Sequence, residues 1–281
     1  MVTDHRIVVL GAGVMGTGIA ALALGRGLPV TLVDVDPDRL ATAETRVFRQ
    51  LLAARFAGHL PVDGRTGELT TARSVVDGHA VVEAVTERAE VKAAVLAEVS
   101  AVVPPGTLVV SNTSAIPIDE LAGSVARPED LVGVHFMNPP YLIRTVEVVR
   151  GPRTGDAAMA AATALLESLG CTGVVVGDGP GFVVNRILQR TINEAARIVE
   201  EGRASAESVD ALFRGCLGHR TGPLATADLI GLDNVVDSLR VLHERTGDDG
   251  YRPCALLTAK VDDGDHGRKT GRGFFDYGET S

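Results

Sequence analysis

The sequence has few cysteines, no long apolar run and fewer basic than acidic residues, and each of these features disfavours a class of protein. Its three cysteines, Cys171, Cys216 and Cys254, lie far apart and form no CxxC pair. They indicate thiols of a reducing compartment, not a disulfide framework or a cysteine-ligated metal site. No apolar run reaches the ~18 to 20 residues that a membrane-spanning helix needs. The net charge of -9 disfavours nucleic acid and acidic membrane surfaces as main partners.

The composition that remains is that of a globular protein. At 281 residues, with 45% hydrophobic and 22% charged side chains, the chain is long enough for one large domain or two ordinary ones. The sequence runs almost at once into an apolar strand pattern, which leaves no room for a signal peptide. We therefore expect a cytoplasmic protein.

A glycine-rich turn near the start predicts a nucleotide site. The apolar run Arg6–Leu10 has the pattern of a strand buried on both faces of a parallel sheet. Gly11-Ala-Gly13-Val14-Met15-Gly16 follows and opens an apolar helix over 17–24. The first glycine permits the tight turn, the second lets the backbone approach a pyrophosphate, and the third lets helix pack against strand. The N-terminus of the helix offers unpaired N–H groups to the same anion.

A carboxylate after the next strand indicates which nucleotide binds. The apolar run Val30–Val33 predicts a second strand that leads into Asp34, 18 positions after Gly16. A carboxylate at this place accepts hydrogen bonds from the 2′-hydroxyl of an adenosine ribose and repels a 2′-phosphate. The sequence therefore predicts NAD as the cofactor, in preference to NADP.

Strand and helix patterns alternate through the first part of the chain. Apolar runs at Ala80–Val85, Thr107–Ser111 and Leu131–Val134 predict further strands, and helical patterns cover about 88–102 and 118–125. This alternation predicts a Rossmann-type, doubly wound α/β sheet, in which ligands bind at the carboxyl ends of the strands.

Three polar residues follow the apolar runs directly. Glu87, Ser114 and His135 each stand just beyond a predicted strand. Because the carboxyl ends of parallel strands share one edge of a sheet, we expect all three at the nicotinamide end of the cleft.

His135 belongs to the segment with the clearest catalytic chemistry. His135 and Glu147 stand on either side of Pro139-Pro140, each beside apolar β-type residues, and a hairpin would bring the two side chains together. A carboxylate on one imidazole nitrogen fixes the tautomer and makes the other nitrogen more basic, which suits a base that takes a proton from an alcohol. A histidine between Val134 and Phe136 is by itself more often a core residue. The neighbouring cofactor site favours the catalytic interpretation.

The rest of the sequence predicts an all-α domain. One more strand pattern, Gly173–Gly177, precedes long helical periodicity from Phe182 to about Glu201, and further helical patterns cover 205–213, 223–230 and 232–245. We expect a Rossmann-type domain over 1–180 and a helical substrate and dimerisation domain over 181–281.

The long helix carries two expectations. Its apolar stripe, which includes Val183, Ile187 and Ile192, needs partners beyond the sheet and predicts a homodimer. Asn185 stands near its start, where an amide either satisfies helix backbone or donates to a substrate carbonyl. Both interpretations of Asn185 remain open at this point.

Several segments complete a pattern that spans nearly the whole sequence. In order they are Gly11–Gly16, Val82–Glu87, Ser111–Ser114, His135–Pro139, Val146–Val148, Gly181–Arg186, Gly222–Leu224, Asp228–Asp233 and Gly267–Phe274. Together they resemble the 3-hydroxyacyl-CoA dehydrogenases, including bacterial 3-hydroxybutyryl-CoA dehydrogenases.

This resemblance implies an NAD-dependent oxidoreductase that interconverts a 3-hydroxyacyl thioester and its 3-oxo form without a metal. It implies that His135 is the catalytic acid and base and that Glu147 orients it. It also implies that Ser114 and Asn185 bond the 3-oxygen of the substrate and neighbouring groups, while Asn138 supports the pair. The predicted cofactor-binding residues are Gly11, Gly13, Val14, Met15, Gly16, Asp34, Glu87, Lys92 and Asn112.

Two departures from the family pattern leave the acyl carrier open. Family members usually have a longer, lysine-rich helical hairpin beside the CoA region, whereas the stretch between Asp34 and Val81 is short and contains no lysine. Arg55, Arg65 and Arg73 are the candidates to replace those lysines. The segment after Pro139, which reads Pro-Tyr-Leu-Ile-Arg, also departs from the usual pattern.

Three alternatives therefore accompany the acyl-CoA substrate. The chain is also similar to relatives that oxidise a hydroxyacyl group on an acyl carrier protein in polyketide extender-unit pathways. Gulonate dehydrogenases of the same superfamily, which act on free sugar acids, are the second alternative. A non-catalytic NAD-binding relative is the last alternative, and it would require a broken catalytic set, yet every member of that set is present.

Overall fold

The first part of the chain folds around one twisted sheet. The structure, a computed structural model, describes residues 6–61 and 64–278. Within these residues one eight-stranded sheet has the order β3-β2-β1-β4-β5-β6-β7-β8. The strands are β1 (Ile7–Leu10), β2 (Val30–Val33), β3 (Leu69–Ala72), β4 (Ala80–Glu83), β5 (Leu108–Ser111), β6 (Leu131–His135), β7 (Thr145–Arg150) and β8 (Thr172–Gly177).

The central strands are short apolar runs that are buried along their whole length, as both faces of a parallel sheet require. Helices accompany the sheet, and one apolar cluster gathers residues of β1, β2, α1 and α2 while a second gathers residues of β5, α3 and α4. These helices are α1 (Val14–Gly25), α2 (Pro37–Phe56), α3 (Ala89–Val102), α4 (Ile118–Ala122) and α5 (Asp156–Leu169). The prediction of a doubly wound, Rossmann-type sheet is confirmed.

One strand pair departs from a fully parallel sheet. Strands β6 and β7 are antiparallel, whereas every other neighbouring pair of the described sheet is parallel. The short connection over 136–144 explains this, because a parallel pair needs a crossover of about a dozen residues or more. The hairpin expected around Pro139-Pro140 is therefore confirmed.

Helix α2 and strand β3 occupy the stretch that sequence analysis left without elements. Asp36 caps α2 by accepting hydrogen bonds from the N–H groups of Asp38 (2.9 Å) and Arg39 (3.3 Å). Pro37 follows at the first helical position, where its missing N–H costs nothing. Aspartate followed by proline is a helix-start signal, so α2 was predictable from the sequence.

The second part of the chain is helical, as predicted. The contacts divide the chain into two compact units between Phe182 and Val183. The second unit has its own apolar core, to which Ile192, Leu224, Val236 and Leu257 belong. Its helices are α6 (Val184–Glu200), α7 (Ala206–Leu217), α8 (Pro223–Ile230), α9 (Leu232–Thr246) and α10 (Ala255–Asp262).

The apolar stripe of α6 is only partly covered within the chain. Ile192 is fully buried, whereas Val183 and Ile187 are 44% and 63% exposed. The homodimer expected from this stripe stays a prediction. None of the helices in the described residues has the length and apolarity to cross a membrane.

Candidate active site

Two of the three glycines in the turn from β1 into α1 stand where a side chain would collide with backbone, and the third leaves its backbone accessible. Gly11 has a φ of +99°, and a Cβ there would lie 2.6 Å from the carbonyl oxygen of Ala84. A Cβ on Gly16 would lie 1.7 Å from the carbonyl oxygen of Gly11, so only glycine lets α1 start so close to β1. A Cβ on Gly13 would have no described atom within 4 Å, which leaves its backbone open to a ligand. This geometry fits the roles expected for a pyrophosphate-binding turn.

The start of α1 is suited to an anion. Gly13 is the N-cap residue, no described side chain caps the helix, and the first turn contains no acidic residue. The N–H groups of Val14, Met15 and Gly16 belong to the first turn, where a helix has no backbone acceptors of its own. They can therefore bind phosphate oxygens.

Asp34 lies beside this turn at the end of β2. Its Oδ2 accepts a hydrogen bond from the N–H of Ala12 at 2.8 Å, and its Oδ1 accepts one from the N–H of Asp36 at 2.9 Å. The carboxylate lines a cavity of about 400 Å³ together with Gly13, Arg39 and other residues. The backbone thus fixes the carboxylate where the adenosine ribose is expected.

We predict that Asp34→Asn reduces the preference for NADH over NADPH by roughly 10- to 100-fold, because hydrogen bonds to a charged group contribute about 1.5–3 kcal/mol. The asparagine keeps an oxygen for the Ala12 N–H but loses the charge that repels a 2′-phosphate. The measurement is the dissociation constant of each nucleotide from its fluorescence titration. A wild-type protein that already prefers NADPH would contradict the role assigned to Asp34.

His135 and Glu147 are held together by the pairing of β6 with β7. The two residues are direct partners in the antiparallel register. Nδ1 of His135 and Oε2 of Glu147 are 2.7 Å apart, and both residues are only 5% exposed. The ring of Phe182 packs against the imidazole with 6.1 Å between ring centroids. Since Glu147 binds Nδ1, Nε2 is the ring nitrogen that this pair leaves for another partner.

Glu87 organises the loop that follows β5. Its Oε1 accepts three hydrogen bonds, from Thr113 Oγ1 (2.6 Å) and from the N–H groups of Ser114 (2.7 Å) and Ala115 (3.1 Å). Three donors on one carboxylate oxygen define the loop conformation closely. Glu87 therefore fixes the backbone at Ser114. Its own side chain is 39% exposed to solvent.

Asn112 connects this loop with the histidine. Its buried side-chain oxygen accepts a hydrogen bond from the N–H of Phe136 at 2.9 Å. Phe136 follows His135 directly, so Asn112 fixes the backbone at the end of β6. The contact of Asn112 with a cofactor, expected from the resemblance, stays a prediction.

Lys92 lies in a buried position of α3. Its Nζ is 2.7 Å from Oε1 of Glu83 and 3.2 Å from Oε2 of Glu87, and its side chain is only 1% exposed. The ammonium group therefore lies between the carboxylates of Glu83 and Glu87. Its expected place along the cofactor stays a prediction.

Sequence analysis missed Glu83. A carboxylate inside the run Ala80–Val85, where the other residues are apolar, was the available signal. A polar side chain at a strand position buried on both faces requires partners, and charged residues are almost never fully buried unless paired.

The two asparagines expected at the substrate lie in different parts of the chain. Asn138 is exposed in the segment between β6 and β7, and Asn185 is half-buried in the first turn of α6. Asn138 belongs to the first compact unit and Asn185 to the second. Their roles stay predictions.

The arginines proposed to replace CoA-binding lysines have different surroundings. Arg55 donates through Nη2 to the carbonyl oxygen of Gly64 (2.9 Å) and to Thr66 Oγ1 (2.8 Å), so it holds its own loop. Arg73 lines the cavity beside Asp34. Arg65 is exposed.

The buried cysteines are not nucleophiles near neutral pH. Burial raises the pKa of the Cys171 thiol to about 11, and burial also raises the pKa of Cys254. The thiolate is the reactive form, so a raised pKa makes both thiols less reactive.

Comparison with known proteins gives the same family over both units. Residues 6–179 match the model of the 3-hydroxyacyl-CoA dehydrogenase NAD binding domain, and residues 181–277 match that of the 3-hydroxyacyl-CoA dehydrogenase C-terminal domain. The probable 3-hydroxybutyryl-CoA dehydrogenase of Bacillus subtilis is 40% identical over 280 residues, which cover 98% of each chain.

Two solved structures extend this likeness to the fold. FadB2 of M. tuberculosis superimposes with a TM-score of 0.90 and 34% identity, over 98% of this chain and 100% of that one. The (S)-3-hydroxybutyryl-CoA dehydrogenase PaaH1 of Ralstonia eutropha gives a TM-score of 0.88 and 34% identity, over 98% and 100%. With a glycine turn suited to a dinucleotide and matches that span both units, this chain belongs to the 3-hydroxyacyl-CoA dehydrogenase family and is an NAD-dependent oxidoreductase.

Proposed function

We propose that this protein interconverts 3-hydroxybutyryl-CoA, or a similarly short 3-hydroxyacyl-CoA, and its 3-oxo form. The observation that carries the proposal is the buried pair of His135 and Glu147, with 2.7 Å between Nδ1 and Oε2, in the sheet that also bears the glycine turn. An acid–base pair in a dinucleotide-binding sheet suits oxidation of an alcohol. The short acyl group is inferred from the names of the B. subtilis and R. eutropha relatives, and the S isomer from the name of the R. eutropha enzyme.

In this mechanism Nε2 of His135 takes the proton of the 3-hydroxyl group, while C3 loses its hydride. NAD, when bound, supplies the hydride acceptor. Glu147 keeps the proton of the resting imidazole on Nδ1 and stabilises the positive charge that the ring gains. An acid–base group placed in this way accelerates a reaction by ~10²- to 10⁴-fold. In the reverse direction the imidazolium returns the proton to the 3-oxygen.

Ser114 is proposed to donate a hydrogen bond to the 3-oxygen. Its loop is already ordered by Glu87, which binds the N–H groups of Ser114 and Ala115. A donor held in place before the substrate arrives stabilises developing negative charge without further reorganisation. We propose that Asn185 binds a neighbouring substrate oxygen and that Asn138 supports the pair.

CoA is the proposed carrier of the acyl group. The support for it is the likeness to relatives that are named for CoA substrates. An acyl carrier protein is the second candidate, because the stretch between Asp34 and Val81 contains no lysine and Arg55 is engaged within its own loop. The following experiment separates the two carriers.

The experiment follows loss of NADH absorbance with purified protein and three forms of one acyl group: acetoacetyl-CoA, acetoacetyl-carrier protein and free acetoacetate. We expect the highest kcat/KM with acetoacetyl-CoA. Faster turnover of the carrier-bound group would reject CoA as the physiological carrier and keep the chemistry. Turnover of free acetoacetate alone, or of none of the three, would overturn the proposed function.

A further inference from the structure

A buried carboxylate without a part in the proposed mechanism lies at the end of β4. The Glu83 side chain is fully buried. Its Oε2 accepts a hydrogen bond from Ser111 Oγ at 2.6 Å, and its Oε1 accepts one from the N–H of Val85 at 2.8 Å. Ser111 is its partner in the parallel register of β4 and β5. Glu83 therefore joins the ends of the two strands that bear the loops of the site.

Lys92 extends this junction towards the surface. Its Nζ donates hydrogen bonds to Oε1 of Glu83 (2.7 Å) and to the carbonyl oxygen of Val85 (3.3 Å), and it forms an ion pair with Oε2 of Glu87 (3.2 Å). The ammonium group thus lies between the two carboxylates. It fixes Glu87 relative to Glu83.

Glu87 connects this network to the loop after β5. Lys92 forms an ion pair with Oε2 of Glu87. Oε1 of Glu87 accepts hydrogen bonds from the N–H groups of Ser114 and Ala115. The connected path runs from Glu83 through Lys92 and Glu87 to the backbone of Ser114. Every step of the path is a hydrogen bond or an ion pair of 3.3 Å or less.

Stability alone is a weak explanation for this network. Burial of an ion pair contributes little net stability, because the loss of solvation offsets the attraction between the charges, and a well-packed apolar pair is often as stable. A network in which every polar group is satisfied does, however, define one geometry. The buried charges therefore serve to fix the position of the loop after β5.

We propose that Glu83 is a positioning residue, which places Ser114 beside the reacting oxygen through Lys92 and Glu87. The inference rests on the proposed function for the part of Ser114. A misplacement of about 1 Å in a positioned group can lower a rate by ~10²-fold. Loss of the charge of Glu83 should therefore lower kcat, although its buried side chain does not contact the substrate.

The first test measures the loop directly, without catalysis. Hydrogen exchange followed by mass spectrometry is compared for the wild type, Glu83→Gln and Glu90→Gln. Glu90 is a matched control, because it lies in the first turn of the same helix but is exposed and pairs with Arg88. We expect faster exchange at 112–116 in Glu83→Gln only, with β1 unchanged. Equal protection of this loop in all three proteins would overturn the proposal.

The second test is a double-mutant cycle for acetoacetyl-CoA reduction. We expect Glu83→Gln to lower kcat by ~10- to 100-fold with saturating NADH. In a Ser114→Ala background the same substitution should change kcat by less than about threefold. An equal loss in both backgrounds would show a general structural effect and overturn the proposal.

A milder variant covers the case in which Glu83→Gln does not fold. Ser111→Ala removes one hydrogen bond to Glu83 and is expected to give the same pattern of loop exchange and coupling, with a smaller loss of kcat. Full turnover of Ser114→Ala would overturn the inference and leave the dehydrogenase function standing. A wild type inactive on every thioester would overturn the proposed function, and the exchange measurement would still decide whether Glu83 positions the loop.

Discussion

Replacement of His135 by glutamine is expected to lower kcat for acetoacetyl-CoA reduction by about 10³-fold or more, because the variant loses the group that exchanges the proton. Glutamine can still donate an N–H to Glu147, so the buried carboxylate keeps a partner and the fold persists. The dissociation constant of NADH should stay within about threefold, since the imidazole is assigned no part in nucleotide binding. Steady-state kinetics and a fluorescence titration measure the two quantities.

His79→Gln is the matched control for this variant. His79 is exposed and directly precedes β4, at the opposite end of the sheet from the carboxyl ends of the strands. Its replacement should leave kcat unchanged. If His135→Gln retained the wild-type kcat, His135 would have no part in the proton transfer.

Replacement of Glu147 by glutamine is expected to lower kcat by roughly 10²- to 10⁴-fold, because the imidazolium formed during oxidation loses the negative charge that stabilises it. The amide can accept the hydrogen bond from Nδ1, so the hairpin of β6 and β7 stays intact. The measurement is kcat of Glu147→Gln, of His135→Gln and of the double variant.

The double variant shows whether the two residues act as one unit. Residues of one catalytic unit give strongly non-additive losses, so the double variant should be no more than about threefold slower than His135→Gln alone. Losses that multiply instead would mean that Glu147 acts independently of His135. In that case the 2.7 Å contact would be structural.

The features that the sequence predicts correctly are local ones. The glycine turn and the strand before it depend on residues close together in the chain, so their spacing predicts their geometry. The hairpin of β6 and β7 was predictable for the same reason, because a short connection with two prolines allows few alternatives. This pairing brings His135 opposite Glu147, as the sequence indicated.

The features that the sequence did not predict depend on distant contacts. Glu83 and Ser111 are 28 positions apart, and only the pairing of β4 with β5 brings them together. Strand β3 is a half-exposed strand at the sheet edge, and its pairing with β2 gives it its conformation. The engagement of Arg55 in its own loop is likewise a tertiary contact, which a count of basic residues does not show.

The chemistry and the acyl carrier depend on different parts of the chain. The proposed acid–base pair and the glycine turn both lie in the first unit of the chain. Recognition of the carrier is expected to depend on surfaces such as the stretch between Asp34 and Val81, which contains no lysine. The two questions therefore need separate experiments.

The most direct test of the central claim follows the transferred hydrogen itself. Acetoacetyl-CoA is reduced by the wild-type protein with NADH that carries deuterium on both positions of nicotinamide C4, and mass spectrometry locates the label in the product. The account predicts one deuterium on C3 of 3-hydroxybutyryl-CoA and none elsewhere, with His135→Gln giving the same product far more slowly. Deuterium at any other carbon, or an unlabelled product, would contradict hydride transfer to C3.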